Sequence, residues 1–318
     1  MEELLFSFNT VAPLLLLVLI GVVLQKIKLL PDTFYAQAEK FVFRLALPCN
    51  LFMNVYNADV SETFNPKLII FCIIGVIFTF VLPCLLIPLF VKGDQQRGAF
   101  IHGAFRSNFA IFGLPLAQRL HPANGGAVVS SIMPFSIPLF NIFAVTILSI
   151  FAPAEKKLTT AQITKKAIKG IITNPLIIGI VLGLPFMLSA LTLPSFATAT
   201  INYVGNVTTP IAMICLGANM GSYKSKGKLG LSLSAALTKV IVFPLILVTA
   251  GILAGFRGVE LGAILILFGG PTAVSSYIMA KNMESDHEMA GQILLLSTAL
   301  CSITMFIGIY ILKTLGML

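Results

Sequence analysis

The chain has 318 residues, no tryptophan, and charged side chains at only 10% of its positions. A soluble domain carries about 25% charged residues, so the composition excludes an ordinary water-soluble fold. Any aromatic belt at a membrane surface has to rely on Tyr and Phe. The five cysteines, Cys49, Cys72, Cys84, Cys215 and Cys301, fall at irregular spacing within apolar stretches. That spacing excludes a disulfide framework and a thiolate metal site, and reads as small buried hydrophobes. The three histidines, His102, His121 and His287, have no zinc-site spacing, and the chain has no phosphate loop and no GxSxG. Enzyme signatures are therefore absent, and no cofactor or metal is implied. The first residues, MEELLFSFNT, lack the basic region of a cleaved signal peptide; the first apolar stretch is expected to stay as a membrane helix.

Acids are the most informative scarcity. All twelve Asp and Glu residues fall in expected loops or at expected helix ends. Proton and cation pathways usually need carboxylates at membrane depth. Their shortage there disfavours cation exchange and favours an anionic substrate.

What the chain does have is apolar length. It is 57% hydrophobic, with a mean hydropathy of +0.98. A spanning helix needs about 20 mostly apolar residues. Ten such stretches are expected near 10–28, 33–57, 67–91, 97–121, 126–152, 167–188, 195–222, 229–254, 258–281 and 288–313. The second and seventh contain Pro48 and Pro210, and both are expected to kink there. On one side of these spans fall Lys26, Lys28, Lys92, Arg97, Lys156, Lys157, Lys165, Lys166, Lys169, Lys224, Lys226, Lys228 and Lys281; on the other fall Lys67, Arg119, Arg257 and Lys313. Basic loops stay cytoplasmic, which puts both termini outside the cell or in the periplasm. The net charge of +9 is mostly this topology signal, and it argues for a lipid bilayer as partner and against nucleic acid.

The two halves of the chain match. Pro13, Gly21, Pro48 and Pro83 recur as Pro175, Gly183, Pro210 and Pro244, at offsets of 8, 35 and 70 against 8, 35 and 69. The strings Phe112-Gly113-Leu114-Pro115 and Phe268-Gly269-Gly270-Pro271 follow in the same order. Residues 1–155 and 167–318 are thus expected as two five-helix repeats, joined by a cytoplasmic linker at 156–166. An odd number of spans before the linker inverts the second repeat.

Proline and glycine weaken a helix, so the fourth and ninth helices are expected to break at these two strings. Non-helical backbone at membrane depth is tolerated only where protein buries it or water reaches it. Paired breaks in matching places point to a binding site, with half-helix N-termini offering donors to a carboxylate. Ser107, Asn108, Gly113, Pro115, Gly270, Pro271, Thr272 and Ser275 are the candidates there, with Pro115 and Pro271 holding the paired ends open. Asn50, Asn54 and Asn141 are further amides within spans; they either line a substrate cavity or tie helices together. Of the three cations at depth, Arg106 is nine residues before Pro115 and is expected to snorkel to the inner interface. The roles of Arg44 and Lys239 stay open.

Asn108 with NFAIFGLPLA, PTAVSSYIMAKNMESD in the ninth span, and TPIAMICLGANMG in the seventh resemble the auxin efflux carrier family, which includes bacterial relatives described as malonate or malate permeases. The resemblance covers the whole chain. It implies an all-α integral membrane fold of two inverted five-helix repeats. Helices 1, 2, 6 and 7 would form a scaffold and a homodimer surface. Helices 3–5 and 8–10 would form a mobile transport domain, with helices 4 and 9 crossing. Asn108, Pro115 and Pro271 carry over to the substrate site between those domains. The expected function is a secondary transporter of a small organic carboxylate by an elevator mechanism. A sodium-coupled organic anion symporter and a ligand-binding sensor without transport are the alternatives. The short central loop departs from the long loop of many plant exporters, so regulation by phosphorylation there is not expected.

Overall fold

In the computed structural model the described residues are 2–57, 64–152, 161–162, 172–173, 175–189, 191–222 and 229–318. They are helical, and among them no strand forms beyond one isolated pair of bridged residues. The expected linker 156–166 lies outside the described residues, except for 161–162. Among the described residues five helices are long and apolar enough to cross a membrane: Pro66–Phe90, Gly125–Ile150, Ser195–Asn219, Leu229–Leu253 and His287–Thr314. Shorter apolar helices include Ala12–Lys26, Pro175–Leu188 and Gly258–Gly269. Large side chains such as Leu89, Phe90, Phe196 and Leu253 stay exposed on these helices, as a lipid-facing surface requires.

Among the described residues three turns widen to π-helical geometry: Val42–Ala46, Phe109–Gly113 and Thr238–Val242. Each ends two residues before a proline, namely Pro48, Pro115 and Pro244. Proline has no N–H and its ring clashes with the carbonyl four residues back. In all three cases that carbonyl lies inside the widened turn. The clash is absorbed by a π turn, and the helix continues. This corrects the expected break at Phe112–Pro115. Pro115 starts the helix Leu114–Leu120 behind its π turn. Pro48 likewise gives a π turn, and the seventh segment is interrupted at Val207, between Ser195–Asn206 and Thr208–Ser222.

The true interruption of the fourth helix lies earlier. The helix Asp94–Phe105 ends with Arg106 in an extended conformation. The ninth is interrupted where expected, between Gly258–Gly269 and Val274–Asn282, with Gly270 and Ala273 both extended.

The chain folds as two compact units that interleave along the sequence. One comprises Met1–Pro66, Ala110–Pro134 and Ile171–Ser222; the other comprises Lys67–Phe109, Phe135–Gly170 and Tyr223–Leu318. In the first unit glycines let backbones touch. A side chain at Gly21 would strike the carbonyl of Ile214, and one at Gly217 would strike that of Val18. Gly183 faces Val55, and Gly205 lies against Asn50. Small residues at such seams are the usual solution where helices pack in lipid without a hydrophobic driving force. The second unit has its core in Ala99, Phe100, Ala104, Ala235, Phe243, Ala280, Met289, Ala290 and Ile293. There Gly103 admits Ile293, and Gly75 admits the ring of Phe268.

Candidate functional site

Both helix breaks belong to the second unit, and their freed backbone groups satisfy each other. Ser107 and Thr272 form an antiparallel bridge. The Asn108 N–H donates to the Pro271 carbonyl at 2.8 Å. The Thr272 hydroxyl donates to the Gly103 carbonyl at 2.7 Å, and its N–H donates to Ser297 Oγ at 3.1 Å. Buried backbone must find partners, and here two non-helical segments supply one another. A Cβ at Gly270 would meet the Ile266 carbonyl at 2.8 Å and Ser107 Oγ at 3.0 Å; glycine lets the two breaks approach.

Arg106 sits at the break itself. It is 8% exposed, which corrects the expected snorkelling. The nine-residue distance from Pro115 put it near an interface only while Pro115 marked the break. Its guanidinium donates to Asn141 Oδ1 at 2.9 Å and to Met279 Sδ at 3.1 Å. Both partners are neutral. Beside it, Asn108 Nδ2 and Ser107 Oγ are buried without a hydrogen-bond partner, and so is Ser276 Oγ in the first turn after the second break. That turn has no side-chain cap at Ala273. One helical turn before Arg106, His102 is fully buried with both ring nitrogens unpartnered. The cluster is cationic and rich in donors, a pattern suited to an anion. Among the described residues no three His, Cys, Asp or Glu side chains converge as metal ligands.

The expected candidates separate. Ser107, Asn108, Asn141, Gly270, Pro271 and Thr272 come together in the second unit, although the donor proton of Thr272 is committed to Gly103. Ser275 is half-buried in the first turn of Val274–Asn282. Gly113 and Pro115 fall in the first unit. So do Asn50 and Asn54, which form an amide cluster with Gln118. Asn50 Nδ2 donates to the Gly205 carbonyl at 3.2 Å, Asn54 Nδ2 to Asn50 Oδ1 at 2.8 Å, and Gln118 Nε2 to both side-chain oxygens at 3.2 and 3.1 Å. Of the two readings open for these amides, the bonds drawn here tie helices.

Ser276, Gln118 and Lys239 were not among the expected site residues. Ser276 lies in the quoted PTAVSSY string, and Gln118 is an amide within an apolar span, so both carried a signal. Lys239 is 1% exposed and donates from Nζ to the Phe268 carbonyl at 3.0 Å.

Residues 6–309 match the family described as membrane transport protein. An uncharacterized transporter of Methanocaldococcus jannaschii is 23% identical over 298 residues, covering 91% of this chain and 94% of that protein. With its apolar helices and a match across nearly its whole length, this is a multi-pass membrane transport protein, and the chain belongs to the membrane transport protein family, the auxin efflux carrier family that its sequence resembles.

Proposed function

We propose that the protein is a secondary transporter of a small organic anion, a mono- or dicarboxylate, whose carboxylate binds beside Arg106 in the unit that contains both helix breaks. One observation carries the proposal. Arg106 is buried, and its guanidinium is met by an amide oxygen and a thioether. Desolvating a charge costs several kcal/mol, and a carboxylate that accepts two parallel bonds from the guanidinium offsets that cost. Asn108 Nδ2, Ser107 Oγ, Ser276 Oγ and the ring nitrogens of His102 are among the buried polar atoms of the two breaks that have no hydrogen-bond partner.

In the same reading ten helical segments cross the bilayer as two inverted five-helix repeats, and helices 4 and 9 cross at their breaks. The proline and glycine recurrence and the bridge between Ser107 and Thr272 support this. Access alternates by an elevator motion. The unit carrying Arg106 moves with the anion, and helices 1, 2, 6 and 7 act as scaffold and homodimer surface. The interleaved division of the chain supports that grouping for most of its length, although Ala110–Pro134, from helices 4 and 5, falls with helices 1, 2, 6 and 7. The lysine bias puts both termini outside. A cysteine-free protein with a single cysteine at Gly316 should therefore react with a membrane-impermeant maleimide in intact cells, and protection until lysis would reverse the orientation.

Uptake of radiolabelled malate and malonate into proteoliposomes tests the function. Saturable uptake is expected. In Asn108→Ala, affinity should fall by about 1–3 kcal/mol, the usual loss when a charged group loses a hydrogen-bond partner, while the melting temperature holds. Saturable binding without flux would make the protein a sensor. Neither binding nor flux for any carboxylate would reject the anion reading, and unaltered affinity in folded Asn108→Ala would remove that residue from the site.

A further inference from the structure

Lys239 lies in the second unit, in the π turn Thr238–Val242 that Pro244 imposes. Its surroundings differ from those of Arg106. The helix Gly258–Gly269 ends at the second break, and its last carbonyls need donors from outside the helix. The Ile266 carbonyl takes the Gly270 N–H at 3.0 Å, and the Gly269 carbonyl takes the Cys301 thiol at 3.5 Å. The N–H that would serve Leu267 is missing, because residue 271 is proline. The N–H that would serve Phe268 belongs to Thr272 and points to Ser297. Lys239 Nζ fills that place, 3.0 Å from the Phe268 carbonyl. A helix C-terminus carries about half a negative charge. A buried ammonium on it is a cation that the helix end balances in part.

Carbonyls freed at a half-helix C-terminus are also the groups that hold a coupling sodium ion in broken-helix transporters. Resting on the transport reading above, we propose that the Lys239 ammonium is a tethered counterpart of such an ion. It occupies the C-terminal end of helix Gly258–Gly269, so anion movement requires no sodium. The two buried cations then divide the work: Arg106 faces the substrate, and Lys239 neutralises the end of the broken helix. A neutral side chain at 239 would leave the negative end of that helix, at the Phe268 carbonyl, open to a cation from solution.

Thermal unfolding of purified protein tests this without a substrate. Wild type, Lys239→Ala and Lys239→Gln would be melted in sodium chloride, in choline chloride and in ethylammonium chloride at equal ionic strength. Wild type should unfold at one temperature in all three salts. Lys239→Ala should unfold several degrees lower in choline and recover in sodium or ethylammonium. Lys239→Gln keeps a donor for the Phe268 carbonyl but not the charge, and it should respond to the salts in the same way. Sodium-specific stabilisation of wild type would overturn the proposal, and it can be read even where neither variant yields folded protein. So would variants that match wild type in choline, or variants that respond to no cation, since Lys239 would then be a packing residue or a simple donor. In proteoliposomes, malate uptake by wild type should change less than twofold when choline replaces sodium, and a sodium requirement would overturn the proposal. A complete lack of carboxylate uptake rejects the transport reading instead, and the melting experiment still decides the role of Lys239.

Discussion

Replacing Arg106 with Gln should weaken binding of malate or malonate more than a hundredfold and abolish measurable uptake. The reasoning starts from the cost of keeping the charge. The guanidinium is 8% exposed and bonded to Asn141 and Met279, neither of which repays the desolvation of a full charge. Removing the partner of a buried carboxylate costs about 3 kcal/mol or more, over a hundredfold in affinity. Stability should move the other way or not at all. Gln can still donate to Asn141 Oδ1, and exchanging a buried charge for a neutral group is often neutral or stabilising. Lys at this position keeps the charge but loses the planar fork that holds a carboxylate at two points, so Arg106→Lys should fall between. Isothermal titration with malate, alongside a melting curve, checks both halves. Wild-type affinity in Arg106→Gln would remove Arg106 from the site, and a large drop in melting temperature would make its side chain a structural tie to Asn141 and Met279.

Much of this was written in local chemistry. The apolar stretches mark the helices because their length and the shortage of charge leave few alternatives. The break at Gly270–Pro271 was legible because a glycine and a proline act together there. The break at Arg106–Asn108 was not. Nothing local forbids a helix through those residues. They are extended because the Pro271 carbonyl and Thr272, far along the chain, pair with them, and such a partner leaves no mark in a window of ten residues. Pro115 misled for the complementary reason: a proline inside a helix demands relief of one clash, and a π turn provides it. Arg106 inherited that error, since its depth was measured from the wrong point. Lys239 was recognisable as a cation too deep to dismiss, but its partner is a backbone carbonyl, and every residue has one. Asn50 and Asn54, four apart, were expected on one helix face; what they meet there, Gln118 and the Gly205 carbonyl, depends on how the first unit packs.

The two prolines that look equivalent in the sequence should therefore behave differently. Proline in a helix interior costs about 3 kcal/mol relative to alanine, so Pro271→Ala makes an unbroken ninth helix more accessible by about that amount. An alanine N–H can serve the Leu267 carbonyl, and the Thr272 N–H can then turn from Ser297 to Phe268. Each step dismantles the break. The carbonyl of residue 271 would leave the Asn108 N–H, the Thr272 hydroxyl would leave Gly103, and Phe268 would no longer need Lys239. Opposing this are the bonds of the broken state: Asn108 to Pro271 at 2.8 Å, Thr272 to Gly103 at 2.7 Å, and Lys239 to Phe268 at 3.0 Å. Anion affinity falls with the fraction of molecules that keep the break. Pro271→Ala should lose tenfold or more in malate affinity, and saturating malate should recover the broken form. Pro115→Ala restores an N–H behind a π turn that runs from Phe109 into the first unit; the bonds that hold Arg106 and Asn108 go to Asn141, Met279 and Pro271, outside that turn, so its affinity should stay within about threefold of wild type. Titration of malate onto both purified variants separates the outcomes. Equal losses would mean that the π turn shapes the site as much as the break does. Wild-type affinity in Pro271→Ala would mean that the tertiary bonds alone hold the break, and that proline at this position serves packing.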